Sequence, residues 1–155
     1  MEIRLAIETD IPELLRLLGQ ILYVHHVGRP DLFKASGEKY GAQELRQMLG
    51  DASRPIYVAE EDGAVLGYAF CIYKEIQNSS AMNDRKTLYL DDLCVDEDCR
   101  GKGVGKALYE HVLAVAKQTG CYNVELNVWA KNENAVRFYE KCGMQVQKIG
   151  MECIL

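Results

Sequence analysis

Between positions 93 and 106 the chain reads Leu-Cys-Val-Asp-Glu-Asp-Cys-Arg-Gly-Lys-Gly-Val-Gly-Lys, and the chemistry such a run can do is anion binding. It follows a β-prone stretch, Thr87 to Val95. Glycines stand at 101, 103 and 105, and the apolar positions Val104, Leu108, Val112 and Val115 then recur at helical spacing. A helix starting there leaves its first N–H groups without intrahelical partners, at the positive end of the dipole and with no bulky side chain over them. A pyrophosphate fits that arrangement, so a nucleotide-like ligand is expected.

A second group with chemical potential lies about thirty residues on. After the strand-like run Tyr122 to Val128, the segment from Trp129 to Gly143 reads as a capped helix. Asn132 is a good N-cap, Glu133 lies in the first turn, Lys141 in the last, and Gly143 suits the left-handed position that follows. Asn132, Ala135 and Tyr139 share one helical face.

Spacing decides between ligands. The dinucleotide fingerprint needs G-x-G-x-x-G at the first helix of a βαβ unit, whereas these glycines alternate and come late in the chain. A phosphate loop of the NTPase kind needs G-K-[ST], and Gly105-Lys106-Ala107 lacks the hydroxyl that would hold magnesium. What fits is R-x-x-G-x-G, met by Arg100, Gly103 and Gly105, which resembles the acetyl-CoA pyrophosphate loop of the GNAT N-acetyltransferase superfamily. The pattern N-x-x-A-x-x-x-Y-x-x-x-G from Asn132 to Gly143 resembles the segment after the fifth strand of the same family.

The elements needed to position these groups can be read along the chain. Glu2 to Ala6 is a short strand; Thr9 or Asp10 caps a helix beginning near Ile11 and running into His25-His26. Gly28 to Gly37 is a loop, followed by a helix carrying Leu45, Met48 and Leu49. Pro55 to Glu60 and Ala64 to Tyr73 form strands joined at Glu61-Asp62-Gly63, and Glu75 to Arg85 is a polar loop. Strand, helix, strand and helix follow, then a final pair of short strands around Gly150. The order β-α-α-β-β-β-α-β-α-β-β is also that of the GNAT fold, a mixed α/β architecture with a central sheet flanked by helices. The resemblance spans nearly the whole chain, while its specific motifs occupy about residues 88 to 144. Met144 departs from it, since an aromatic residue commonly follows that glycine.

The resemblance implies a site. The phosphate cradle would be Arg100, Gly101, Lys102, Gly103, Val104, Gly105 and Lys106, and the fourth and fifth strands would splay near a bulge so that pantetheine pairs with backbone groups of Leu93, Cys94 and Val95. Asn132, with Ala135 on the same face, would touch the pantetheine arm. Tyr139 would be the acid that protonates the departing thiolate, and a backbone N–H near Cys94 or Val95 would stabilise the oxyanion. An alkylamine is protonated at neutral pH, with a pKa of about 10.4, so something must take its proton before it attacks a thioester. Asp91 sits where diamine acetyltransferases of this family carry a carboxylate; Asp92 and Glu125 are rivals, as is a water chain. Because strand side chains alternate, only one of Asp91 and Asp92 reaches the cleft unless a bulge intervenes.

Composition sets the outer bounds. A chain of 155 residues suits one domain, 1–155, with a single core. The apolar runs fall short of the ~20 residues that cross a bilayer, Met1-Glu2-Ile3-Arg4 lacks a signal-peptide pattern, and a cytoplasmic location with no membrane contact is expected. Six cysteines show no C-x-x-C pair and are expected to be reduced. His111 has no clustered partner, so no metal is expected. A net charge of −5 excludes the usual basic nucleic-acid surface and favours cationic partners. His25 and His26, ahead of the loop beginning at Gly28, are candidates to line an acceptor pocket.

The expected activity is therefore acetyl transfer from acetyl-CoA to a primary amine by direct attack in a ternary complex. The acceptor would be a polyamine or other small amine, an amino acid or a protein amine, and the enzyme a homodimer. The alternatives are transfer of a longer acyl group, a non-catalytic acyl-CoA sensor, and a route through an acetylated Cys94 or Cys99.

Overall fold

Asp62 and Gly63 take φ values of 51° and 82°, the paired left-handed conformations that a tight hairpin turn demands. In this computed structural model, which describes residues 1–155, they join β2 (Ile56–Glu61) to β3 (Ala64–Ile76). β1 (Glu2–Leu5) pairs with the far edge of β2 and β4 (Arg85–Val95) with the far edge of β3, all antiparallel. β5 (Asn123–Glu125) adds to β4 in parallel, so the sheet order is β1-β2-β3-β4-β5. A parallel neighbour requires a crossover, here α3 (Val104–Gln118).

Alternation along the central strands divides the core in two. On one face, α1 (Ile11–Gly28) and α2 (Ala42–Leu49) bury Leu14, Leu17, Leu18 and Leu45 against Val58, Tyr68 and Phe70. On the other, α3 packs Val104, Leu108 and Val112 against Ala69, Cys71, Leu88 and Leu90, with Phe138 of α4 (Glu133–Lys141) beside them. Each fully buried leucine contributes about 2 kcal/mol of transfer free energy, which fixes both helical layers on the sheet.

Asp10 precedes α1 as expected, but it does not cap that helix. Its carboxylate instead accepts the Ile7 N–H at 2.8 Å and both guanidinium arms of Arg4 at 2.7 and 2.9 Å. Arg4 also donates to Glu60 at 2.9 Å, so one cation ties β1, β2 and the start of α1 together.

Two expectations are corrected. β5 covers only Asn123–Glu125 rather than the run Tyr122 to Val128, and residues 145–155 form no strand. Past Glu125 the chain pairs with no strand. Val146, Ile149, Met151 and Ile154 are consequently exposed rather than pressed on the sheet. Side chains fasten this tail instead: Gln147 donates to Glu125 at 2.9 Å, and Arg29 bonds Glu152.

Candidate functional site

The glycine loop forms where β4 ends. Asp96 Oδ1 accepts the Asp98 N–H at 3.0 Å and starts a short 3-10 turn, Glu97–Cys99, before the chain reaches α3. Gly101 and Gly103 have φ of 76° and 86°, conformations other residues enter at a cost, whereas Gly105 is helical. Gly105 serves close approach: a β-carbon there would lie 3.4 Å from Val95 and 3.5 Å from Phe138. None of the N–H groups from Gly101 to Lys106 has a partner within the protein. They lie at the positive end of a 15-residue helix.

The side chains of this run do different jobs. Val104 is buried in the core and Lys106 Nζ lies 3.6 Å from Glu110 along the outside of α3, so these two offer only their backbone. Arg100 Nε donates to the Val95 carbonyl at 3.2 Å. Its side chain, with Lys131, Asn132, Asn134 and Arg137, lines a cavity of about 1070 Å³ against Gln20 and Tyr23 of α1.

The Val95 contact also gives the facing of the β4 backbone. Val95 directs its carbonyl to Arg100, away from β3, while the next N–H, from Asp96, goes to Leu66. Alternation then turns Leu93 and Val95 outward and Cys94 into the β3 ladder, opposite Tyr68. Of the three residues expected to offer backbone groups, Leu93 and Val95 can and Cys94 cannot. β5 pairs only with Thr87, Leu88 and Tyr89, so beyond Tyr89 the outer edge of β4 stands open.

A bulge interrupts β4 at the position that matters. Phe70 pairs with Asp92 and Cys71 with Leu90, which leaves Asp91 as an extra residue. The interruption lets both carboxylates reach one cleft. Lys39 Nζ, from the loop between α1 and α2, lies 3.1 Å from Asp91 Oδ2 and 3.2 Å from Asp92 Oδ2. The Asp92 side chain is only 8% exposed, against 25% for Asp91. Burial raises the Asp92 carboxyl above the usual carboxylate range, and the nearby Lys39 ammonium opposes the rise.

These residues wall a second cavity, of about 540 Å³, shared by Leu18 and His25 of α1, Phe33, Trp129 and Tyr139. His25 stacks on Phe33 at 5.1 Å and Phe33 meets the Trp129 edge at 5.3 Å, joining the loop to the strand side of the cleft. Burial lowers the His25 pKa, and its Nδ1 is enclosed without a partner. His26 lies outside this wall, with Nδ1 2.7 Å from the Phe33 carbonyl. Burial, reinforced by the Asp92 charge, raises the Tyr139 hydroxyl well above its ordinary value. Tyr139 therefore stays protonated at neutral pH.

Asn132 lines both cavities, and Ala135 lines the one that holds Tyr139. As expected, Asn132 caps α4, its Oδ1 accepting the Ala135 N–H at 3.2 Å, and Gly143 takes φ 89° beyond the helix. Glu125 stands apart from both cavities, accepting from Asn123 and Gln147 at 2.9 Å each. The Cys94 thiol is buried, contacts the Leu17 carbonyl at 3.6 Å, and is pushed up to about 12 by burial, which removes it as a nucleophile. Lys39, Phe33 and Trp129 escaped sequence reasoning. The first two sit in an aperiodic loop with no local signal, though the loop's place after His25-His26 was one.

Comparison with known proteins gives a consistent result. The profile of the acetyltransferase (GNAT) family matches residues 22–144. A glucosamine 6-phosphate N-acetyltransferase of Trypanosoma brucei brucei is 28% identical over 96% of this chain and 91% of its own length. The crystal structure of a tetramutant of the BH1408 protein from Bacillus halodurans superposes with a TM-score of 0.95 at 31% identity, covering all of both chains. That of glucosamine-6-phosphate N-acetyltransferase from Arabidopsis thaliana superposes with a TM-score of 0.73 at 26% identity, covering 99% of this chain and 97% of that one.

Proposed function

Because the chain belongs to the GNAT acetyltransferase family, we propose that it transfers an acetyl group from acetyl-CoA to a small primary amine, within a ternary complex. The single observation that carries this reading is the position of Asn132, which lines both cavities and so joins Arg100, at the head of the glycine loop, to the acid pair and Tyr139.

The residues fit an acyl-CoA. The free N–H groups from Gly101 to Lys106, with Arg100, suit the pyrophosphate, and the outward groups of Leu93 and Val95 suit the amides of pantetheine. Bound acetyl-CoA supplies an acetyl thioester, an acyl group activated toward amines. The remaining work falls to the protein. Asp91 and Asp92 attract the acceptor as its ammonium, and Asp92, whose carboxyl burial has raised, takes the proton that frees the lone pair. The Val95 N–H faces the open edge of β4 and is placed to donate to an oxyanion. Tyr139, held protonated by burial, gives its proton to the departing sulfur.

Charge and shape both favour a small cationic acceptor. The cavity that holds the acid pair is walled by the loop bearing Phe33 and Lys39, which suits a small molecule better than a polypeptide. The amino sugar phosphate named for the trypanosomal and plant relatives is likewise a small primary amine, with a phosphate that makes it a net anion.

Calorimetric titration with acetyl-CoA tests the reading, beside a Gly103→Glu variant that fills the loop. Micromolar binding that disappears in the variant supports it, and CoA release should then depend on an added amine. Absence of binding to the native protein removes it.

A further inference from the structure

Lys39 is itself a primary amine, and it occupies the place the acceptor needs. Its Nζ lies 3.1 Å from Asp91 and 3.2 Å from Asp92, the two carboxylates beside the reaction cavity. The side chain is 38% exposed while the Asp92 side chain is 8% exposed, so the ammonium reaches inward to a buried charge from the cavity mouth. Tyr40 fixes the approach, stacking on the core residue Phe70 at 5.8 Å with the rings 15° from parallel.

We propose that Lys39 is an internal acceptor: with acetyl-CoA bound and no amine present, the protein acetylates its own Lys39 Nζ. The inference rests on the acetyl-transfer reading above and deepens it by naming a first substrate. In the step, Lys39 Nζ passes a proton to Asp92 and attacks the thioester carbonyl carbon. The N–C bond forms, the C–S bond breaks, and the acetyl group ends as an amide on Nζ. The sulfur takes the Tyr139 hydroxyl proton and leaves as the CoA thiol; the second Nζ proton, lost as the amide forms, passes through water to restore Tyr139, and water removes the proton from Asp92.

The ion pair is what singles Lys39 out. Lys34 lines the same cavity but has no ion-pair partner, and Lys102 and Lys131 are exposed elsewhere. A merely chemical acetylation would label exposed lysines without preference; a step routed through Asp92 labels Lys39. An external amine has to displace the Lys39 ammonium, so it also protects it.

The experiment incubates the purified protein with acetyl-CoA alone, reads acetylation by intact mass and peptide mapping, and measures acetyl-CoA binding by calorimetry on the same sample. The expected result is a single acetyl group on Lys39, formed at a first-order rate independent of protein concentration. It should be lost in Lys39→Arg and in Gly103→Glu, and slowed at least tenfold in Asp92→Asn. Binding of acetyl-CoA, or turnover of an added amine, with Lys39 left unmodified overturns the inference while leaving the proposed function standing. Equal labelling of Lys34, Lys102 and Lys131 that persists in Gly103→Glu overturns it as well. No acetyl-CoA binding at all overturns both.

Discussion

Asn132 Oδ1 accepts the Ala135 N–H at 3.2 Å, and this bond spends the side-chain acceptor on the helix itself. What faces the two cavities is then the amide NH2, a donor suited to a pantetheine carbonyl. The two duties can be separated. Asn132→Ser keeps a cap, so stability should hold to within about 0.5 kcal/mol while acetyl-CoA affinity falls; Asn132→Ala should lose the affinity and about 1 kcal/mol besides. Urea unfolding and calorimetry on both variants check this, and equal affinities in wild type and Asn132→Ala would refute it.

The acid pair should divide its labour unequally. Asp92→Asn is expected to lower kcat on the order of 10²-fold, as loss of a positioned base does, with acetyl-CoA affinity unchanged. Asp91→Asn should mainly raise KM for the amine, because its carboxylate is the more exposed partner of the incoming cation. In the wild type, kcat should rise with pH through a value above the ordinary carboxylate range, since burial holds the Asp92 proton longer. Steady-state kinetics against pH would contradict the assignment if that limb survived in Asp92→Asn.

Replacing Tyr139 with Phe removes a proton donor and little else. Its hydroxyl titrates well above the ordinary tyrosine range, through burial first and the Asp92 charge second, so no alkaline limb from this group is expected below about pH 10. We expect kcat to fall roughly 10- to 100-fold with acetyl-CoA binding retained. Unchanged turnover in a single-turnover assay would assign the acid elsewhere.

The three glycines of the loop should respond differently to alanine. Gly101→Ala and Gly103→Ala force a left-handed β-carbon-bearing residue, at roughly 1–2 kcal/mol each, and should weaken acetyl-CoA binding. Gly105→Ala keeps an ordinary helical φ, and its contacts of 3.4–3.6 Å with Val95 and Phe138 are tolerable. Its crowding is offset by a helix propensity gain of up to about 1 kcal/mol, giving near-neutral stability. Thermal unfolding of the three variants distinguishes strain from crowding.

Asp10 supplies a test of stability against pH. Burial alone would raise its carboxyl, but the Arg4 guanidinium and the Ile7 N–H outweigh that and hold it below the usual range. A depressed folded pKa means the stabilisation is complete above the unfolded value and is lost as pH falls through the folded one. Asp10→Asn should therefore cost about 3 kcal/mol at neutral pH, and the gap to wild type should close only below the usual carboxylate range. A gap independent of pH in urea titrations would place the effect in packing.

Local rules carried most of the fold. The hairpin at Asp62-Gly63, the cap at Asn132, the left-handed Gly143 and the glycine loop each depend on neighbours within a few residues, and each stands where the chain's own chemistry puts it. The strands around Gly150 failed because pairing is a property of two segments, and the sequence of one does not reveal whether the other stands beside it. Asp10 failed as a cap for a similar reason, since Arg4 competes for it across β1. In the site, the choice between Asp91 and Asp92 hinged on a bulge that only the register with β3 discloses. Lys39 was invisible because what brings it to the acid pair is Tyr40 stacking on Phe70, a contact thirty residues apart in sequence.

The unpaired Asp91 also governs how the gene can change length. Leu88 and Leu90 face α3, whereas Cys94 faces α1, and Asp92 shares that side with its partner Phe70. All four are an even number of residues apart, and only the extra residue reverses the facing between them. Deleting the Asp91 codon would let the pleat run uninterrupted and leave both faces as they are, Leu90 toward α3 and Asp92 toward α1, at the cost of one carboxylate in the cleft. Substitution at 91 alters a side chain; what would exchange the two faces from there to the glycine loop is a regular pleat through all 11 residues of β4, the slip that the bulge prevents. Descendants of this sequence are free to lengthen or shorten residues 77–84, while in β4 the count and the bulge must change together.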